Sequence, residues 1–412
     1  MQYVPPHKES LMRRTLFALL AACAALAPTS ANALQIVPNT DPGGFYSTVP
    51  APSSEAPGAV LSVQDVPAGV LDGVVEAKRF SYASTHPTGR TVPVTGIIMV
   101  PSAPWTGPGG RPVALFAPGT QGAGDACAPS KLIGYGTEYE ELPVSVLLQR
   151  GFAVAMTDYQ GIGTLGAHTY MNRFAQGAAV LDMGRAITQL GIPGIDASTR
   201  QVTWEYSQGG GASAAAAEMH ASYAPDVNLV AGFGGGVPAD LLTTARSLEG
   251  SPLIGAVGYA VTGLYEVHPE LQQMVESTLN DAGVAWLHQG GSDCIFETFA
   301  TMPVPDSSIY TRSGQRITDV LAEEQFRPYF EEQRLGTVAP DIPMFIMQGT
   351  NDDIIPAAQA REMVAGWRER GAAVDYQEDP APLLVRMQGH VGPLASSFEP
   401  AFAWVMGQLA EG

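Results

Sequence analysis

An α/β fold built on a doubly wound, mainly parallel sheet is what this 412-residue sequence predicts, and three observations lead to it. Short, near-continuous apolar runs recur along the chain, the mark of strands buried on both faces of a sheet. Between them lie segments whose apolar residues stand three and four apart, as in amphipathic helices. One long interval, 238–342, breaks the alternation with helix-like sequence alone. It is too long for an ordinary connection and reads as a helical cap inserted between two core strands.

In chain order, residues 1–33 carry Lys8, Arg13 and Arg14 ahead of the apolar run TLFALLAACAALA and close on Ala31-Asn32-Ala33. This is the pattern of a secretory signal cleaved after Ala33. A membrane anchor is the competing reading, but the run is shorter than the roughly 20 apolar residues of a span. Residues 34–92, rich in Pro, Ser and Gly, read as an extended lead-in followed by a first hairpin. The core begins in 93–237, where PVTGIIMV, PVALFAP, GFAVAMTDY, QVTW and LVAGFGGG read as strands. LPVSVLLQR and FAQGAAVLDMGRAITQL are the helices among them. The core resumes in 343–412 with the strand PMFIMQG, a further strand LLVRM and the terminal helix SFEPAFAWVMGQLA.

Once the signal is removed, 18 basic residues face 39 acidic ones, a formal charge of −21. Such a surface opposes nucleic acid and anionic membranes. The mature chain keeps Cys127 and Cys294, an even pair in an oxidising compartment, which favours a disulfide over two buried free thiols.

The chemistry concentrates in QVTWEYSQGGGASAAAAEMH, residues 201–220. A short strand, a cramped turn and an alanine-rich helix place Ser207 at a strand-to-helix elbow, with the N–H of Gln208 at the helix start aimed at a developing oxyanion. Ser207 is the only serine with glycine two places on. A turn serine of no consequence is the plain alternative. A nucleophilic serine needs a base, and the base needs an orienting acid, in the chain order Ser, Asp or Glu, His for this kind of turn. His220, His268, His288 and His390 follow Ser207. Only His390 lies past the last strong core strand, in a loop before the terminal helix. After PMFIMQG, both Asp352 and Asp353 qualify as the acid. Asp352 is preferred, because Asp353 could cap the helix that begins near Pro356. For a second oxyanion donor, the loop APGTQG offers Gly119 and Thr120, with Thr120 favoured. GIGTLG, 161–166, matches a dinucleotide-binding pattern but lacks the helix that should follow it. There is also no H-E-x-x-H sequence and no close cysteine pair to suggest a catalytic metal.

Taken together, CAPS, TDYQGIG, YSQGG and GTNDDIIP, in this order and with a helical insert before the last, resemble the secretory lipase family (lipase A type) of α/β-hydrolases from about Val92 to the end. The resemblance implies the α/β-hydrolase fold and carboxylester hydrolysis through an acyl-enzyme on medium to long acyl esters. By position it assigns Ser207, Asp352 and His390 to the triad, pairs Cys127 with Cys294, makes the insert an acyl-binding cap that contacts a lipid interface, and implies no cofactor. The chain is expected to work as a monomer. At one position it departs from the pattern: Glu205 stands where the elbow begins with Gly. A glutamate there must swing outward, distort the turn or sit near the active histidine, so Glu205→Gly is expected to raise turnover. Two readings from other classes remain, a secreted serine peptidase and a non-catalytic binding protein with a decayed elbow.

Overall fold

In a computed structural model, the described residues are 44–411 apart from 53, 72, 74 and 303–305. The signal segment and its cleavage site lie outside them. Nine strands form one sheet: β1 (Val60–Asp65), β2 (Val75–Thr85), β3 (Thr91–Pro101), β4 (Val113–Phe116), β5 (Ala153–Gln160), β6 (Gln201–Tyr206), β7 (Leu229–Gly235), β8 (Met344–Gly349) and β9 (Val374–Asp379). Their spatial order is β1-β2-β3-β5-β4-β6-β7-β8-β9. From β5 to β9 every neighbouring pair is parallel, whereas β1, β2 and β3 join by antiparallel pairing.

The central strands are apolar throughout because both faces are covered. Along β4, Val113 and Leu115 enter one core while Ala114 and Phe116 enter the other, and β8 divides Met344 and Ile346 from Phe345 and Met347 in the same way. Helices α1 (Pro129–Tyr135), α2 (Glu141–Gln149), α3 (Arg173–Ile187) and α4 (Gln208–Tyr223) alternate with the first strands. Asn172 begins α3 by accepting the N–H of Ala175, the side-chain cap that satisfies an orphan donor of the first turn.

Among the described residues, seven short helices fill the interval between β7 and β8: α5 (Leu241–Leu248), α6 (Gly255–Tyr265), α7 (Pro269–Thr278), α8 (Asp281–Gly290), α9 (Ile295–Thr301), α10 (Ile317–Val320) and α11 (Arg327–Glu331). Among the described residues this interval contributes only isolated bridges, Gly122 with Cys294 and Leu279 with Thr311. Its apolar residues make a third core, in which Leu248, Val257, Trp286 and Phe326 pack with Ile354 and Ile355 from the loop after β8. Cys127 and Cys294 form a disulfide, which ties the start of α1 to the start of α9. After β8 come α12 (Ala357–Glu369), β9, α13 (Gln388–Ser396) and α14 (Phe398–Glu411).

The C-terminal region corrects one expectation. LLVRM is not a strand: Leu384 is 76% exposed and the segment leads through a turn into α13. The sheet edge is taken instead by VDYQED, in which Val374 and Tyr376 pack on the core while Asp375 and Gln377 face solvent. Charged residues at alternate positions hide such an edge strand from a search for apolar runs.

Candidate active site

Ser207 occupies the turn between β6 and α4 with φ 59° and ψ −126°, a region that non-glycine residues enter only under constraint. Neighbouring glycines make that turn possible. A Cβ at Gly209 would lie 1.8 Å from the carbonyl oxygen of Ala117, and one at Gly210 would lie 2.2 Å from that of Gly235. The backbone N–H of Ser207 donates to Gly235 at 2.8 Å, which fixes the elbow against β7.

His390 reaches it from the first turn of α13, not from a loop. Gly389 permits the approach, since a Cβ there would meet the carbonyl oxygen of Asn351 at 2.0 Å. His390 Nε2 is 3.0 Å from Ser207 Oγ, and its Nδ1 is 2.8 Å from Asp352 Oδ2. The second oxygen of Asp352 accepts the N–H groups of Ile354 and Ile355 at 2.9 and 2.8 Å, while Gln348 donates to Oδ2 at 2.9 Å. Asp353 plays a different part. Its Oδ2 accepts the N–H of Met387 at 2.7 Å, so it secures the entry to α13 and does not cap α12, whose start has no side-chain cap. The other candidate histidines bond elsewhere: His220 to Asp341, His268 to Glu332 and His288 to Glu276.

The loop after β4 runs past the elbow. Thr120 lines a cleft together with Ser207 and Gln208, and its hydroxyl is 2.8 Å from that of Tyr170. Gly119 is not available to an oxyanion, because its N–H points to Glu140, 3.0 and 3.1 Å from the two carboxyl oxygens.

A model of the secretory lipase family matches residues 127–411. The chain belongs to the secretory lipase family. A secreted triacylglycerol lipase of Malassezia globosa is 27% identical over 394 residues, covering 91% of this chain and 83% of that protein. A probable inactive lipase of Mycobacterium tuberculosis is 28% identical over 355 residues, covering 84% and 77%. Among solved structures, Candida antarctica lipase A in its closed state has a TM-score of 0.69 at 22% identity, with 85% of each chain covered. A rice cell wall degrading esterase from Xanthomonas oryzae scores 0.71 at 18% identity, covering 86% of this chain and all of that one. These likenesses, with the nine-stranded, mostly parallel sheet, make the fold that of the α/β-hydrolases.

The cleft beside Ser207 measures about 60 Å³ and is walled by Leu241, Leu248, Val257 and Phe330 from the helical interval and by Ile354. Among the described residues, no helix is long and apolar enough to cross a membrane.

Sequence reasoning missed the layer beneath the site. Glu205 neither swings outward nor leans on the histidine. It is 2% exposed, accepts the N–H of Tyr206 at 2.8 Å and lies against the carboxyl group of Glu140. Gly209 of α4 makes room for it, because a Cβ at that glycine would stand 2.6 Å from the Cβ of Glu205. Glu138 completes a buried trio, with Gln121 Nε2 donating to it at 3.1 Å. Burial holds the carboxyl groups of Glu138 and Glu140 well above the usual range and pushes Glu205 up to about 8. The stretch EYE at 138–140 carries no sequence signal of this role, since the partners come from β6 and the β4 loop.

Proposed function

We propose that this protein is a secreted serine carboxylester hydrolase acting on lipid esters, with Ser207 as nucleophile, His390 as general base and acid, and Asp352 as the orienting carboxylate. One observation carries the reading: the unbroken chain from Ser207 Oγ through both ring nitrogens of His390 to a carboxylate that four donors hold in place. His390 Nε2 takes the proton of Ser207 as Oγ attacks the ester carbonyl, while Asp352 fixes the tautomer that leaves Nε2 free to accept. The backbone N–H groups of Gln208 and Thr120 receive the oxyanion, each worth about 3 kcal/mol of barrier. His390 then protonates the departing alcohol, and water attacks the acyl-enzyme by the same route in reverse.

The acyl chain is assigned to the cleft under α5 and α6, which makes 238–342 the cap that meets a lipid interface. Export after cleavage near Ala33, and action as a monomer, belong to the same reading; the matched Malassezia globosa protein is named as secreted.

The test is hydrolysis of p-nitrophenyl esters from acetate to palmitate by the chain from residue 34, with Ser207→Ala beside it. Turnover that vanishes in the variant supports the reading. Wild-type protein that hydrolyses no ester, and whose Ser207 an organophosphonate leaves unlabelled, sinks it. That result would favour a binding protein, a reading to which the similarity with a probable inactive lipase lends weight. Cleavage of amides in preference to esters would instead identify a peptidase.

A further inference from the structure

Two carboxyl groups that lie against each other away from water can hydrogen-bond only through a proton held between them, because an ionised carboxylate only accepts. Glu205, at the end of β6, and Glu140, just before α2, lie against each other in this way, and both are buried. The pair lies directly under the loop that carries Thr120. Glu140 receives the N–H of Gly119 on both oxygens, and Gln121 Nε2 reaches Glu138 at 3.1 Å and Glu140 at 3.4 Å. Tyr139 donates its hydroxyl to the carbonyl of Thr120 at 3.1 Å, and Tyr159 donates to that of Pro118 at 2.8 Å. Every residue from Pro118 to Gln121 is thus held from below, and four of these contacts converge on the acidic layer.

We propose that Glu205 and Glu140 are positioning residues which, through a shared proton, clamp the 118–121 loop in the geometry that presents Thr120 to the oxyanion. This inference rests on the ester-hydrolase reading above. Loss of that proton would leave two adjacent buried charges, whose repulsion and desolvation the loop could relieve only by moving. The groups facing the pair are Glu138 and Tyr139 before α2 and Tyr159 on β5, with Asp158 of β5 facing Glu138 and Tyr170 facing the two phenols. Burial, with the charge of neighbouring carboxyl groups, raises both members of the pair, Glu205 up to about 8. The shared proton should therefore be lost in the alkaline range.

In Glu205→Gln or Glu140→Gln, an amide hydrogen that cannot titrate replaces the shared proton. The experiment measures kcat and KM separately from pH 6 to 10 for wild type and both variants, alongside infrared titration of the protonated-carboxyl band. Wild-type kcat is expected to fall about tenfold or more across the alkaline range, with KM nearly constant, while either variant stays within about threefold. The wild type should also keep a protonated-carboxyl band at neutral pH that Glu205→Gln diminishes. An alkaline fall equally steep in the variants overturns the proposal, as does the absence of the band, even if the variants melt at lower temperature. If one variant does not fold, the other and the wild-type band decide. Wild type without turnover at any pH removes the ester-hydrolase reading and this inference with it, whereas turnover with unchanged profiles removes the inference alone.

Discussion

Asp352 and Asp353 are adjacent and chemically identical, yet the fold gives them separate work. Asp352 faces His390 and Asp353 the backbone of Met387. Asp352→Asn should lower kcat by about 10³- to 10⁴-fold, since the amide favours the wrong imidazole tautomer. Asp353→Asn, which still offers an acceptor to Met387, should cost under about tenfold. Steady-state kinetics on one soluble ester would compare them, and equal losses would contradict the assignment. Glu205 also answers a question posed by the sequence. Its carboxyl group supports Glu140, so Glu205→Gly would leave that partner beside a void, and turnover is expected to fall where the sequence reading expected a rise. Stability has a defined sign here. The folded protein raises Glu205 from the ordinary carboxyl range to about 8, so the unfolded chain releases this proton first. The stability tied to the proton is fully present below about pH 4.5 and is lost as pH climbs towards about 8. Urea unfolding of wild type and Glu205→Gln should therefore diverge over that window in favour of the variant. Parallel curves would show that the proton is not held.

Among the elements, the disulfide and the β4 loop act as one unit. Cys127 and Cys294 are 167 residues apart, and the bridge between Gly122 and Cys294, with the Ile295 N–H donated to Gln121, fastens the loop to the start of α9. In the chain-entropy view, closing a loop of this length contributes up to about 5 kcal/mol. Replacing both cysteines with serine should lower the urea midpoint and reduce kcat together, because the same tether sets stability and the position of Thr120. A lower midpoint with unchanged kcat would separate the two. The α13 turn makes a similar point. LLVRM has strand-like composition, but β9 already occupies the sheet edge, and that apolar run is spent on a turn that lowers His390 onto the elbow.

For the whole molecule, the third core walls the cleft to which the acyl chain is assigned. A cleft of about 60 Å³ is far smaller than the roughly 300 Å³ or more of a site that buries a drug-sized ligand. A long acyl chain must therefore part α5 and α6, although the sequence reading expected medium to long chains. The ester series should peak at short chains in the wild type. Leu248→Ala, which widens the cleft, should shift the optimum towards longer ones, each accommodated methylene being worth about 1 kcal/mol or more. An optimum already at palmitate would show that the helices separate readily.

The sequence alone determined the alternation of buried strands and helices, the strand-to-helix turn at Ser207, the helical interval and, through chain order, the proposal of His390 and of Asp352 or Asp353 as its partners. These were legible because local spacing and apolar period depend on neighbours along the chain. Tertiary structure alone decided which aspartate turns inward, that Gly119 is withheld from the oxyanion, how narrow the cleft is, and that Glu205 meets Glu140. Each of those depends on groups brought together from distant elements, and a buried carboxyl group acquires its partner and its proton only when the fold closes over it.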